Sequence, residues 1–176
     1  MSTPATLPFA KGHGTANDFV LLADYDGALL GERVDAHLVR AVCDRRRGIG
    51  ADGVIRVVTT ASPGLPEAPG AAWFMDYVNA DGSLAEMCGN GVRVFVSYLR
   101  DRGLVDASSG PIAVGTRAGV RSVRPHDDGT STVDMGPARG GLSGEEVSST
   151  HAGVTGPGTA VAMPNPHAVL PVADLG

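Results

Sequence analysis

The sequence has almost no lysine. Lys11 is the single one, and the other cations among its 14 Lys and Arg residues are arginines. That leaves one poor candidate for a Schiff base, and no lysine motif for pyridoxal phosphate is present, so no cofactor is expected. Cysteine is nearly as scarce, at Cys43 and Cys88 only. Two thiols cannot build a disulfide framework, and no metal-ligand spacing surrounds them. No metal is expected, and a reducing, cytoplasmic compartment is. There is no basic surplus. The formal net charge is −5, which argues against nucleic-acid binding. No apolar run approaches the roughly 20 residues that span a membrane. The opening MSTPATLPFA has neither the charged nor the apolar region of a signal peptide. A Ser–His–Asp arrangement and a nucleotide-binding glycine loop are missing too.

What is there suits one soluble domain with a real core: 176 residues, 43% hydrophobic and 19% charged. After the loop Gly12-His13-Gly14-Thr15-Ala16-Asn17-Asp18, residues 19–23 form a β-prone run. Asp35 predicts an N-cap for a helix to about Arg46, with Leu38, Val39 and Val42 on its apolar face and Gly48 as its stop. Residues 54–58 and 72–78 read as strands, separated by a Pro/Gly-rich loop at 61–70. After Cys88, residues Val92, Phe95, Val96 and Leu99 follow the helical i, i+3, i+4, i+7 pattern up to Gly103. Short strands are expected at 112–115, 119–124, 132–135, 160–163 and 168–172. Residues 137–158 read as a long Gly/Ser-rich connection. Two helices against many short strands predict an α+β fold: a central helix packed in a curled, mostly antiparallel sheet. The chain's end directly after a strand suggests the first part of a longer fold.

The most informative stretch is Met87-Cys88-Gly89-Asn90-Gly91-Val92-Arg93. It places a thiol at the lip of a glycine-rich turn, directly before a helix. The helix N-terminus favours a thiolate, and its free N–H groups suit a carboxylate. That pairing points to proton chemistry on a carbon next to a carboxylate. Such a proton is very weakly acidic, so the site must aim dipoles at the developing charge and hold the substrate to one face of the base. Inversion needs a second acid on the opposite face.

Cys43 lies one helical turn after Val39 and is expected to face the core. Asn17, Asn79 and Asn165 sit in turns, where an amide either caps the turn or lines a polar pocket. In the rigid turn Met163-Pro164-Asn165-Pro166-His167, the histidine reads as a structural residue or a proton relay. His13 lies between glycines that could mark close approach to a ligand. The run Arg45-Arg46-Arg47 reads as surface charge complementing a helix C-terminus.

In this order, these residues resemble the diaminopimelate epimerases. The matching stretches are Lys11-Gly12-His13-Gly14-Thr15-Ala16-Asn17-Asp18-Phe19, Gly48-Ile49-Gly50-Ala51-Asp52-Gly53, Asn79-Ala80-Asp81-Gly82-Ser83, Cys88-Gly89-Asn90-Gly91-Val92-Arg93 and Asn165-Pro166-His167. The resemblance implies an isomerase, independent of pyridoxal phosphate, that interconverts LL- and meso-diaminopimelate for lysine and peptidoglycan precursors. It implies a small-molecule substrate and a homodimer. Cys88 would be one of two catalytic thiols, and Gly89 and Asn90 would bind the carboxylate at the reacting centre through their N–H groups. Asn17, Asn79 and Asn165 would hold the distal amino-acid end, and His167 would support catalysis.

There are two departures. Gly53 stands where some members have a substrate-contacting glutamine, and Pro164 where glycine is usual. The family's fold has two similar halves, each with one cysteine at a helix N-terminus. Residues 1–158 would be the first half, and 159–176 the start of the crossover into a second half absent from this chain. Two other readings are a proline-racemase-like isomerase, which typically has histidine where Asn90 stands, and a thiol-redox domain sensing through Cys88.

Overall fold

Short apolar runs between tight turns make strands, and the longer 3.6-residue patterns make helices. In a computed structural model the chain has ten strands and two helices among the described residues, which are 6–106, 108, 110–149, 154–163 and 165–171. They fall into two units, Met1–Asp134 and Met135–Gly176.

The first unit holds a seven-stranded sheet: β1 (Phe9–Gly14), β2 (Asn17–Ala23), β3 (Gly53–Thr59), β4 (Trp73–Asn79), β5 (Ile112–Gly115), β6 (Arg121–Pro125) and β7 (Ser131–Val133), paired in chain order. Only the β2–β3 and β4–β5 pairs are parallel. Helix α2 (Gly89–Asp101) packs against both edge strands and against β2, β3, β4 and β6, so the sheet curls around it. This is the expected α+β arrangement. Val92, Phe95, Val96 and Leu99 are all fully buried, and each such side chain contributes roughly 1.5–3 kcal/mol of transfer free energy.

Strands β2 and β3 are buried on both faces, so they read as apolar runs without alternation. Phe19, Leu21 and Ile55 face α2. Val20, Leu22 and Val54 face the opposite way, into a cluster with Val39 and Cys43 of helix α1 (Ala36–Cys43). Cys43 is a core residue, as its spacing from Val39 predicts.

Four readings are corrected. Residues 9–14 and 17–18 are strand, and the expected loop shrinks to the two-residue turn Thr15-Ala16. Both turn residues have positive φ (56° and 64°), the geometry of a tight hairpin here adopted without glycine. Helix α1 stops at Cys43, three residues short. The chain then doubles back so that the N–H groups of Ile49 and Gly50 donate to the carbonyl of Val42. A Cβ at Gly48 would lie 2.1 Å from the carbonyl oxygen of Ala41, so only glycine fits that return.

The other two corrections fall in the second unit. The expected connection at 137–158 is largely strand: β8 (Arg139–Ser149) pairs antiparallel with β9 (Val154–Met163) through two register shifts. Backbone ladders need no apolar alternation, so Gly/Ser-rich sequence hid them. Asn165 and His167 lie on β10 (Asn165–Val169), paired with β9, and not in a turn. Pro164 lies outside the described residues.

Candidate active site

Three strand ends meet at one edge of the first unit. Asn17 opens β2, Gly53 opens β3, and Asn79 closes the antiparallel β4. Phe19 pairs with Gly53, which pairs with Asn79. The N-terminus of α2 comes to the same edge. Gly14 makes this possible, because a Cβ there would lie 2.9 Å from the carbonyl oxygen of Asn90. A Cβ at Gly12 would meet Val94 at 2.8 Å. The glycines flanking His13 therefore mark close approach of a helix, and His13 itself is exposed on a groove of about 670 Å³ beside α2.

Cys88 is the N-cap of α2. Its half-buried Sγ accepts from the N–H of Gly91 at 3.4 Å and donates to Asn17 Oδ1 at 3.7 Å. Asn90 Nδ2 donates to the same Oδ1 at 3.5 Å. Arg93 Nη2 in turn donates to Asn90 Oδ1 and to Thr15 Oγ1, each at 2.6 Å. The N–H groups of Gly89 and Asn90 head the helix, where no intrahelical acceptor exists. Thiol, amides and open helix head thus occupy one spot, equipped to hold a carboxylate beside a sulfur.

Charged residues support this from behind. Asn17 Nδ2 donates to Asp52 Oδ2 at 2.7 Å. Arg45 Nη2 bridges Asp18 and Asp52 at 2.7 Å each. Lys11 pairs with Asp18 at 2.9 Å and donates to the carbonyl of Gly50. The Arg45 guanidinium, helped by Lys11 and a hydrogen bond from Asp52, holds the Asp18 carboxyl well below the usual carboxylate range against the opposing effect of burial. Arg45 is therefore a bridging residue and not simply surface charge at a helix end.

Gly53 is buried. A Cβ there would sit 2.5 Å from Tyr77 Cε2 and 2.7 Å from the carbonyl oxygen of Val78. The ring of Tyr77, stacked edge-on against Phe19 at 5.5 Å, takes the space a side chain at 53 would need. Burial, with the neighbouring Cys88 next in size, pushes the Tyr77 phenol up to about 12. Asn79 Nδ2 donates to Ser83 Oγ at 3.0 Å, within the turn that follows β4.

Of the eight residues expected at the site, the fold brings together Asn17, Gly53, Asn79, Cys88, Gly89 and Asn90. Asn165 and His167 belong to the second unit, on β10. His167 is exposed, and the side chain of Asn165 lies outside the described residues. Sequence reasoning missed Tyr77 beside the thiol, and Asp52 and Arg45 behind Asn17. Asp52 lay within a quoted motif, but nothing local ties it to Asn17, 35 positions away.

The sheet curled around a central helix is a fold shared with a solved epimerase. A hydroxyproline epimerase from Agrobacterium vitis, solved with trans-4-hydroxy-L-proline, matches with a TM-score of 0.60 and 14% identity, over 88% of this chain and 48% of that one. The chain belongs to the diaminopimelate epimerase family, whose profile matches residues 9–140. It is 53% identical to the diaminopimelate epimerase of Thermobifida fusca over 171 residues, covering 94% of this chain and 60% of that protein. The Streptomyces coelicolor enzyme is 48% identical over 173 residues, covering 96% and 57%. That of Corynebacterium glutamicum is 47% identical over 175, covering 97% and 60%. The chain thus spans about 60% of the length of these curated relatives.

Proposed function

We propose that this chain carries one thiol's share of a site that interconverts LL- and meso-diaminopimelate without pyridoxal phosphate. The observation that carries the reading is Cys88 itself, a thiol capping a helix whose N–H groups stand open beside it. The Cys88 thiolate takes the α-proton, leaving the electron pair on the α-carbon. The N–H groups of Gly89 and Asn90 hold the adjoining carboxylate, into which that charge delocalises. A second acid returns a proton to the opposite face.

Cys43 does not serve as that acid, because it is buried on the far side of the sheet. The second thiol comes from outside these 176 residues. Residues 1–158 form the first half of the enzyme, and 159–176 begin the crossover to the second. Asn17, Asn79 and Asn165 hold the distal amino-acid end, with Gly53 contributing backbone only and His167 supporting catalysis. The working enzyme is a cytoplasmic homodimer supplying lysine and peptidoglycan precursors.

Deuterium incorporation at the α-carbon of LL-diaminopimelate in D₂O tests the reading in the complete enzyme. The expected outcome is exchange that falls by at least about 10²-fold in Cys88→Ala, the scale of a lost general acid–base. Full exchange in that variant overturns the assignment of Cys88.

A further inference from the structure

The amide of Asn17 has two ends of nearly equal size and opposite hydrogen-bonding character. Which end faces Cys88 decides what the sulfur meets. We propose that Asp52 is a positioning residue of this site: its carboxylate dictates that the oxygen of the Asn17 amide, and not the nitrogen, faces the thiol.

Asp52 Oδ2 lies 2.7 Å from Asn17 Nδ2. An ionised carboxylate only accepts, so only the NH₂ end can face it. Turning the amide over would set Oδ1 against a carboxylate oxygen and lose a charge-assisted hydrogen bond. Asp52 is itself held in place. Its Oδ1 accepts from Arg45 Nη2 at 2.7 Å, and its Oδ2 also accepts from the N–H of Asp18 at 3.0 Å. The N–H of Asp52 donates to Asp18 Oδ1 at 3.2 Å, and Arg45 and Lys11 both pair with Asp18. A rigid carboxylate thus fixes one end of the amide.

The other end follows. Asn17 Oδ1 stands 3.7 Å from Cys88 Sγ and 3.5 Å from Asn90 Nδ2. An oxygen there accepts the S–H and offers nothing to a thiolate, whereas a nitrogen there would donate to one. The sulfur also meets the N–H of Gly91, from the helix that Cys88 caps, and, from β4, the nearby phenol of Tyr77. Asp52 therefore sets the proton-accepting side of a thiol that it does not touch. Its meaning for catalysis rests on the epimerase reading.

The test needs no substrate. Iodoacetamide alkylation of Cys88 at pH 7 is followed by peptide mapping, which separates it from Cys43, a thiol that is buried and, chiefly through that burial, pushed up. In Asp52→Ala no acceptor at position 52 holds the NH₂ end of Asn17, and its nitrogen can turn to the sulfur. Cys88 should then react about threefold faster or more, because the thiolate is the nucleophile. In an Asn17→Ala background the same substitution should leave the rate within about twofold, since the cycle isolates what passes through Asn17. A general loosening of the fold, or the lost charge acting through space, would raise both rates alike. An unchanged rate in the parent background, or an equal rise in both, overturns the proposal.

If Asp52→Ala does not fold, Asp52→Ser serves under the same two criteria, because the side chain at 52 is 41% exposed and water can take the place of the lost carboxylate. Failure of the epimerase reading shows separately, as missing deuterium exchange with the alkylation pattern intact.

Discussion

At the scale of single residues, glycine and asparagine do most of the shaping. Gly53 is the clearest case, because its missing side chain is space already filled by Tyr77. The Cβ of any other residue would press on the Tyr77 ring at 2.5 Å and on the Val78 carbonyl at 2.7 Å. Gly53→Gln should lower stability by about 1–3 kcal/mol, the usual cost of overpacking. Tyr77→Ala in the same chain should restore part of that loss, because the ring is removed but the carbonyl is not. Chemical denaturation of the two single variants and the double variant reads both terms. A purely additive double variant would mean that the ring can move aside at no cost. From sequence, Gly53 looked only like a missing contact. Its neighbour Tyr77 lies 24 positions on and enters through strand pairing, so no local pattern announces it.

At the scale of elements, the β2–β3–β4 core is clamped by a buried ion network. Arg56 of β3 is completely buried, with Nε donating to Asp24 at 2.9 Å and Nη1 lying 3.5 Å from Asp76. Its Nη2 donates to the carbonyl of Gly31 at 2.6 Å, which ties down the connection between β2 and α1. Asp76 also pairs with Arg117, beyond β5. Such a network is weak evidence for net stabilisation, but breaking it strands charge in the interior. Arg56→Ala should cost about 3–5 kcal/mol, because Asp24 and Asp76 lose a buried counter-ion together. A urea midpoint within error of the parent would refute that. In sequence, Arg56 is a charge inside an apolar strand, and only its strand pairing, which brings up Asp24 past β2 and Asp76 of β4, gives it partners.

At the scale of the molecule, the core belongs to the first unit. Among the residues whose side chains are described, every buried hydrophobic one lies at or before Val123. Six of the eight expected site residues lie in that unit too, as do all the ion pairs between described side chains. A chain cut after Asp134 should therefore still melt cooperatively by circular dichroism and still alkylate Cys88 more readily than Cys43. A non-cooperative melt would show that the remaining residues are needed to complete that core.

The sequence by itself determined the central helix, its thiol cap and the α+β class, because each depends on neighbours within a few positions. Val92, Phe95, Val96 and Leu99 repeat on one helical face, and Cys88 precedes them wherever the helix goes. It also placed the family, through short motifs kept in order. Tertiary structure alone decided that Asp52 orients Asn17, that Tyr77 fills the space at Gly53, and that Arg45 joins two aspartates. It also decided that a Gly/Ser-rich stretch forms β8. These depend on strand register and on close backbone approach, and both are set by contacts between residues far apart in the chain.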